Sequence, residues 1–177
     1  MFFNFKSVTC CLVGVFMLSL LKSTEAQLDL SKIGILQIVG EKQYFIEKAV
    51  KVNWHKALQS CAKMNMRLAS IESSTEQQNI KSLLNSNSAL SKQYWISGND
   101  LSSSRDFVWF GTGESFSYTS WGSGPGGSTS QRCVRTDANF NWRRDACSSL
   151  QYFICERPLV PACGSSTTCN VKPTIIL

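Results

Sequence analysis

Eight cysteines in a chain of 177 residues constrain the fold more than any other feature of the sequence. Such a cysteine content is typical of disulfide-bonded secreted domains or of metal sites. His55 is the single histidine, which argues against a His-rich zinc site and leaves one histidine for any nucleophilic catalysis. The cysteines therefore point first to disulfide bonds formed in an oxidising compartment.

The first 26 residues have the pattern of a signal peptide. Lys6 supplies a positive charge, residues 8–21 form an apolar run, and small residues follow at positions 24 and 26. The run is short for a membrane span, and an uncleaved anchor is the alternative. Cleavage after Ala26 would leave six cysteines, which predict three disulfide bonds without fixing their pairing. We expect a secreted, extracellular protein with no stable membrane anchor.

The order of local patterns predicts an α+β domain. Residues 27–41 form a lead of mixed character, and residues 42–48 alternate as a strand does. Asn53 fits a helix N-cap before an apolar stripe over residues 54–66, and Ser74 fits the start of a capping box for a second helix. Short aromatic runs then alternate with turn residues, as strands do. Two helices followed by several strands favour the α+β class.

Two segments stand apart from these elements. Residues 121–130 are rich in Gly and Ser and predict a long flexible loop. Residues 158–177 contain three of the four prolines and read as a C-terminal tail, with Cys163 and Cys169 placed to close a small loop. Both segments lie outside the expected core.

Composition and motifs argue against catalysis and nucleic-acid binding. The net charge of +6 is mild and spread along the chain. The sequence contains no Gly-x-Ser-x-Gly elbow, phosphate loop, paired-carboxylate motif or Cys-x-x-Cys zinc set. If all mature cysteines are paired, no thiolate nucleophile remains. We predict that the protein is not an enzyme and has no nucleic-acid partner.

The spacing of cysteines and aromatic residues resembles the C-type lectin-like domain, especially its small secreted insect members. The matching segments are Trp54-x-x-Ala57-x-x-x-Cys61, Arg67-Leu68-Ala69-Ser70-Ile71, Tyr94-Trp95-Ile96-Ser97-Gly98-Asn99-Asp100, Phe107-Val108-Trp109, Trp121, Cys133-Val134, Trp142-x-x-x-x-Cys147 and Phe153-Ile154-Cys155-Glu156. They cover about residues 42–157. The resemblance implies two helices packed on short antiparallel sheets, with a long irregular loop region. It also implies the pairs Cys61–Cys155 and Cys133–Cys147, which leave Cys163–Cys169.

Sugar-binding members of that family hold a calcium ion through a Glu-Pro-Asn or Gln-Pro-Asp tripeptide, a further Glu, and an Asn-Asp pair. The corresponding positions here are Gly124-Pro125-Gly126, Gln131 and Arg143-Arg144. Calcium requires six to eight oxygen ligands, several of them carboxylate. No carboxylate stands at any of these positions, so we expect no cofactor and no calcium at the usual site.

Positive charge replaces the calcium ligands. Arg132, Arg135, Arg143 and Arg144 fall around the expected binding face, and guanidinium groups bind sulfate, phosphate and carboxylate well. We therefore predict a ligand-binding set of Gln131, Arg132, Arg143 and Arg144. The alternative is that these arginines pair with nearby aspartates such as Asp137 and Asp145.

The sequence thus predicts a secreted C-type lectin-like recognition protein. Its ligand would be a glycan or an extracellular protein, bound without calcium at the usual site and with a preference for anionic ligands. A calcium-dependent lectin of galactose or mannose type is one alternative. A subunit or inhibitor in a protein–protein complex is another, with residues 33–39 and the Cys163–Cys169 loop as docking surfaces, and oligomer formation stays open.

Overall fold

The computed structural model describes residues 34–159. The expected signal peptide, most of the C-terminal tail and the Cys163–Cys169 pair lie outside the described residues. The strands are β1 Ile35–Val39, β2 Lys42–Val52, β3 Arg67–Leu68, β4 Tyr94–Asn99, β5 Val108–Trp109, β6 Cys133–Thr136, β7 Trp142–Asp145 and β8 Gln151–Pro158, and the helices are α1 Trp54–Lys63 and α2 Ser74–Ser86. The chain is α+β, with its two helices early and most of its strands late.

Side-chain caps define both helices. The side chain of Asn53 accepts a hydrogen bond from the N–H of Lys56 at 2.8 Å and starts α1 where the sequence predicts. The helix ends at Lys63, earlier than the apolar stripe suggests, because Asn65 adopts a left-handed conformation (φ 53°).

The start of α2 differs by one residue from the prediction. Ser73, not Ser74, is the N-cap, and its hydroxyl accepts from the N–H of Glu76 at 3.1 Å. Glu76 in return accepts from the N–H of Glu72 at 2.8 Å. A reciprocal cap of this kind satisfies N–H groups that have no partner inside the helix.

All strands belong to one sheet in the order β1-β2-β8-β4-β6-β7, with β3 also paired to β8 and β5 to β4. The β4–β8 pairing is parallel, and the other pairings are antiparallel. Strand β1 lies within the segment that the sequence presents as a lead of mixed character. Because it pairs with β2 over its whole length, the sheet begins at Ile35.

Among the described residues, two disulfide bonds join separate segments of the chain. Cys61–Cys155 joins α1 to β8, and Cys133–Cys147 joins β6 to the segment after β7. These are the pairs that the family resemblance implies. Their sequence separations are 94 and 14 residues, so in the chain-entropy model they stabilise the fold by about 4.7 and about 3 kcal/mol.

The core contains two buried clusters. One surrounds Trp109 and Trp142, and the other surrounds Trp54, Trp95 and the Cys61–Cys155 disulfide. Neither helix among the described residues combines the length and apolar character that crossing a bilayer requires.

Candidate ligand-binding site

The hairpin of β6 and β7 supports the candidate site. Its register pairs Val134 with Arg144 and Arg135 with Arg143. Side chains alternate between the two faces of a strand, so Arg144 shares the inner face with buried Val134, and Arg143 points outward. The hairpin therefore separates the two adjacent arginines that the sequence presents as a pair.

Arg144 is a buried cation. Only 2% of its side chain is exposed, and its Nη2 donates to Oδ2 of Asp100 at 3.1 Å. Its Nη1 donates to the carbonyl of Pro125 at 3.5 Å, and the guanidinium carbon lies 5.6 Å from the ring centre of Phe107. Arg144 thus connects the end of β4 with the glycine-rich loop. Its Nε has no hydrogen-bond partner within the described residues.

Asp100 is fully buried and forms ion pairs with two guanidinium groups. Besides Arg144, it pairs with Arg132, whose Nε lies 3.4 Å from Oδ1 and whose Nη2 donates to the Asp100 carbonyl oxygen. The N–H of Arg105 also donates to Oδ2 at 2.9 Å. Charge and hydrogen bonding therefore compensate the burial of this carboxylate.

Arg143 lies on the outer side, with 39% of its side chain exposed. Its Nε donates to Oδ2 of Asp137 at 3.1 Å, and its Nη1 donates to the hydroxyl of Ser123 in the loop. Burial alone would raise the pKa of Asp137. The N–H groups of Asn139 and Asn141 and the Arg143 guanidinium outweigh that effect and hold the pKa below its ordinary value.

Gln131 shapes the loop from within. Its Oε1 accepts from the N–H of Ser128 at 3.0 Å. A Cβ on Gly127 would lie only 2.5 Å from this oxygen, and Gly127 has a positive φ of 126°. The turn consequently requires glycine at position 127 and uses the carbonyl group of Gln131 to hold it.

The loop rests on aromatic residues. Trp121 is partly buried against Phe107 and Trp142, with ring centres 5.0 and 5.8 Å away. Main-chain hydrogen bonds between Trp142 and residues 120 and 122 fix the start of the loop. Residues 122–130 are exposed, so the site presents an exposed loop whose first residues are fixed to the β6–β7 hairpin.

The donor set does not fit calcium. Gly124 and Gly126 offer no side-chain oxygen, and the amide oxygen of Gln131 already accepts a backbone hydrogen bond. The remaining positions carry cations. Across the described residues there is no cluster of three or more His, Cys, Asp or Glu side chains suited to a metal ion.

The predicted site residues therefore differ in their burial and in their contacts. Arg132 and Arg143 reach the surface, Gln131 supports the turn, and Arg144 is internal. The alternative of pairing with Asp137 and Asp145 is present in the structure: Arg135 Nε lies 2.8 Å from Asp145 Oδ2. Sequence reasoning missed the central partner, Asp100. The sequence feature that could have identified Asp100 is a carboxylate directly after a strand of buried residues.

These features define a binding domain of the C-type lectin-like fold. The family model described as the Lectin C-type domain matches residues 50–157. The chain belongs to the C-type lectin family.

Relatives and solved structures agree with this assignment. "Lectin subunit alpha" of Sarcophaga peregrina is 34% identical over 65% of this chain, which spans 44% of that relative's length. "Salivary C-type lectin 1" of Aedes albopictus is 30% identical over 66% of this chain and 83% of its own. The C-type lectin domain of murine dendritic cell inhibitory receptor 2, solved with an N-glycan, is 26% identical with a TM-score of 0.62, over 70% of this chain and 95% of its own. Herring type II antifreeze protein is 25% identical with a TM-score of 0.63, over 71% and 97%.

Proposed function

We propose that the protein is a secreted recognition protein that binds a glycan or an extracellular protein without calcium at the family's usual sugar site. The observation that carries this proposal is the buried Arg144–Asp100 pair. In this pair, the guanidinium group of Arg144 lies at a position where calcium-dependent members of the family have a calcium ligand. The Arg144 side chain also bridges the Pro125 carbonyl oxygen in the loop and Asp100 at the end of β4.

Electrostatics supports this proposal. A divalent cation at about 5 Å from a guanidinium group is repelled by about 6–7 kcal/mol at an effective dielectric of about 20. An exposed arginine could rotate away and reduce this repulsion. Burial and the bond to Asp100 hold Arg144 in place, so Arg144 cannot relieve the repulsion by rotating away, and the Asp100 carboxylate offsets only part of its charge.

The preference for anionic ligands rests on fewer groups than the sequence suggests. Four arginines of this face pair with three aspartates, which leaves one unbalanced positive charge. Arg143 is the most exposed of the four, beside the exposed glycine-rich loop. We assign the anion contact to Arg143, with Arg132 as the second exposed cation.

A glycan array probed with the purified chain tests this function. It would carry neutral and sulfated glycans and be read with calcium, with a chelator, and at two salt concentrations. We expect binding that survives the chelator and weakens at high salt. Chelator-sensitive binding to neutral sugars would instead establish a calcium-dependent lectin. If no glycan binds and the native mass includes another protein, the result would favour a role as a subunit or inhibitor.

A matched pair of variants locates the contact. Arg143→Gln should weaken binding to a sulfated ligand by about tenfold or more, because a charge-assisted hydrogen bond is lost. Arg157→Gln removes an exposed arginine charge on β8, where Arg157 Nε donates to Oε1 of Gln43 at 2.7 Å, and should leave binding unchanged. Equal effects of the two variants would contradict a specific contact at Arg143.

A further inference from the structure

Strand β1 is the terminal strand of the sheet, and no described residue pairs with its outer edge. Leu36 and Ile38 are 60% and 54% exposed. Natural edge strands usually carry charge, proline or a bulge that prevents pairing with other chains. Residues 35–39 contain none of these, and their ladder with β2 is regular. Within residues 34–159, the edge is therefore free to pair with another strand.

The hairpin turn determines which backbone groups face outward. Val39 pairs with Lys42 across a two-residue turn in which Gly40 has a φ of 60°. The pair that closes such a turn is hydrogen-bonded, and bonded and non-bonded pairs alternate along an antiparallel ladder. It follows that Leu36 and Ile38 direct their N–H and C=O groups away from β2. The residues with exposed apolar side chains also hold the outward hydrogen-bonding groups.

We propose that the protein forms a symmetric dimer in which β1 pairs antiparallel with β1 of a second copy, centred on Gln37. In this register Leu36 lies opposite Ile38 of the second copy, and their outward backbone groups form hydrogen-bonded pairs. The apolar side chains of these two residues meet on one face. The two Gln37 amides meet across the axis on the other face.

A second copy fits this edge because the strand is nearly symmetric about its centre. The sequence Ile-Leu-Gln-Ile-Val has two aliphatic residues on each side of the central Gln37. Antiparallel self-pairing therefore places aliphatic residues opposite aliphatic residues. No charged side chain of the strand meets its like. A five-residue edge is small compared with stable interfaces, so the dimer should form reversibly as concentration rises.

The proposed dimer leaves the ligand-binding site accessible. In the strand order β1 lies at one end of the sheet, and β6 and β7 lie at the other. A dimer through β1 would therefore carry two separate ligand-binding loops, which raises the apparent affinity for a multivalent surface. Failure of the dimer would leave the binding of a single chain to its ligand unchanged.

Sedimentation velocity over a wide range of concentrations tests the proposal. The average mass of the purified chain should rise from one copy toward two. Ile38→Lys should keep the mass at one copy, because it places a charge in the paired edge. Val50→Lys alters a residue that is 57% exposed and outside the β1–β2 ladder, and it should dimerise like the unaltered chain. A single-copy mass at every concentration, or equal behaviour of both variants, would overturn the proposal.

A cross-link gives a second readout. Gln37 pairs with itself across the axis as a non-hydrogen-bonded pair, where Cα atoms are about 4.5 Å apart, within the range of disulfide bonds. Gln37→Cys should therefore give a covalent dimer under mild oxidation, whereas Val50→Cys should not. A covalent dimer from neither variant, or from both equally, would contradict the register.

Discussion

The carboxylate of Glu156 lies 3.0 Å from the ammonium nitrogen of Lys42, although the Glu156 side chain is completely buried. Arg67 Nε donates to the other carboxylate oxygen at 2.9 Å. Burial raises the pKa of Glu156 even though both cations oppose that effect. Lys42 also bonds Glu76 at 2.8 Å, so one ammonium group connects β2 with β8 and with the first turn of α2.

Removal of the Lys42 charge should destabilise the fold strongly. Lys42→Met leaves Glu156 buried with one cation fewer, and we expect a loss of about 3 kcal/mol in the free energy of unfolding. Lys81→Met, on the exposed side of α2, is the control and should change little. Denaturant unfolding measures both variants. Equal stabilities would show that the ammonium group contributes no net stabilisation.

The loss caused by Lys42→Met should depend on pH. The folded pKa of Glu156 is already raised above its ordinary value of 4.5, and removal of the cation raises it further. A carboxyl with a raised folded pKa disfavours the fold as pH rises from the unfolded value through the folded one. The variant should therefore lose more stability at neutral pH than below 4.5, when both are compared with the unaltered chain.

The Arg144–Asp100 pair should show strong energetic coupling. Arg144→Gln and Asp100→Asn should each cost about 3 kcal/mol of stability, because each leaves a buried charge with fewer partners. The double variant should cost less than the sum, with a coupling of about 1–3 kcal/mol. Urea unfolding of the three variants gives this value. Additive losses would contradict the role of the pair in connecting β4 to the loop.

The α2 cap offers a test with a neighbouring control. Ser73→Ala removes the side-chain acceptor for the Glu76 N–H and should cost about 1 kcal/mol. Ser74→Ala changes an exposed residue inside the first turn and should have little effect. Thermal unfolding compares them. A larger loss at position 74 would restore the capping box predicted from the sequence.

The β6–β7 hairpin should weaken in acid. The pKa of Asp137 is lowered in the fold from an ordinary value of 3.8. Its stabilising contribution is therefore present above 3.8 and is lost as pH falls through the lower folded pKa. Asp137→Asn should remove this part of the acid dependence, which unfolding experiments from pH 5 to pH 2 would measure. An unchanged pH profile would contradict the prediction.

Much of the fold could be predicted from local patterns. The apolar stripe and Asn53 placed α1 correctly at its start, because both depend on residues within a few positions of one another. The cap of α2 was displaced by one residue because Ser73 with Glu76 and Ser74 with Gln77 both fit a capping box, and the structure uses the first. Strand β1 was missed because its alternation is weak, and only its ladder with β2 makes it a strand.

At the candidate site, the sequence alone determined that the five positions matching the family's calcium ligands carry no carboxylate. It also determined the presence of four arginines around the loop. Only the tertiary structure decided that Arg143 is exposed while Arg144 is buried against Asp100, 44 residues away. The reason is that the direction of a side chain on a strand follows from the register with its partner. A buried charge can persist only where a distant segment brings the opposite charge to it.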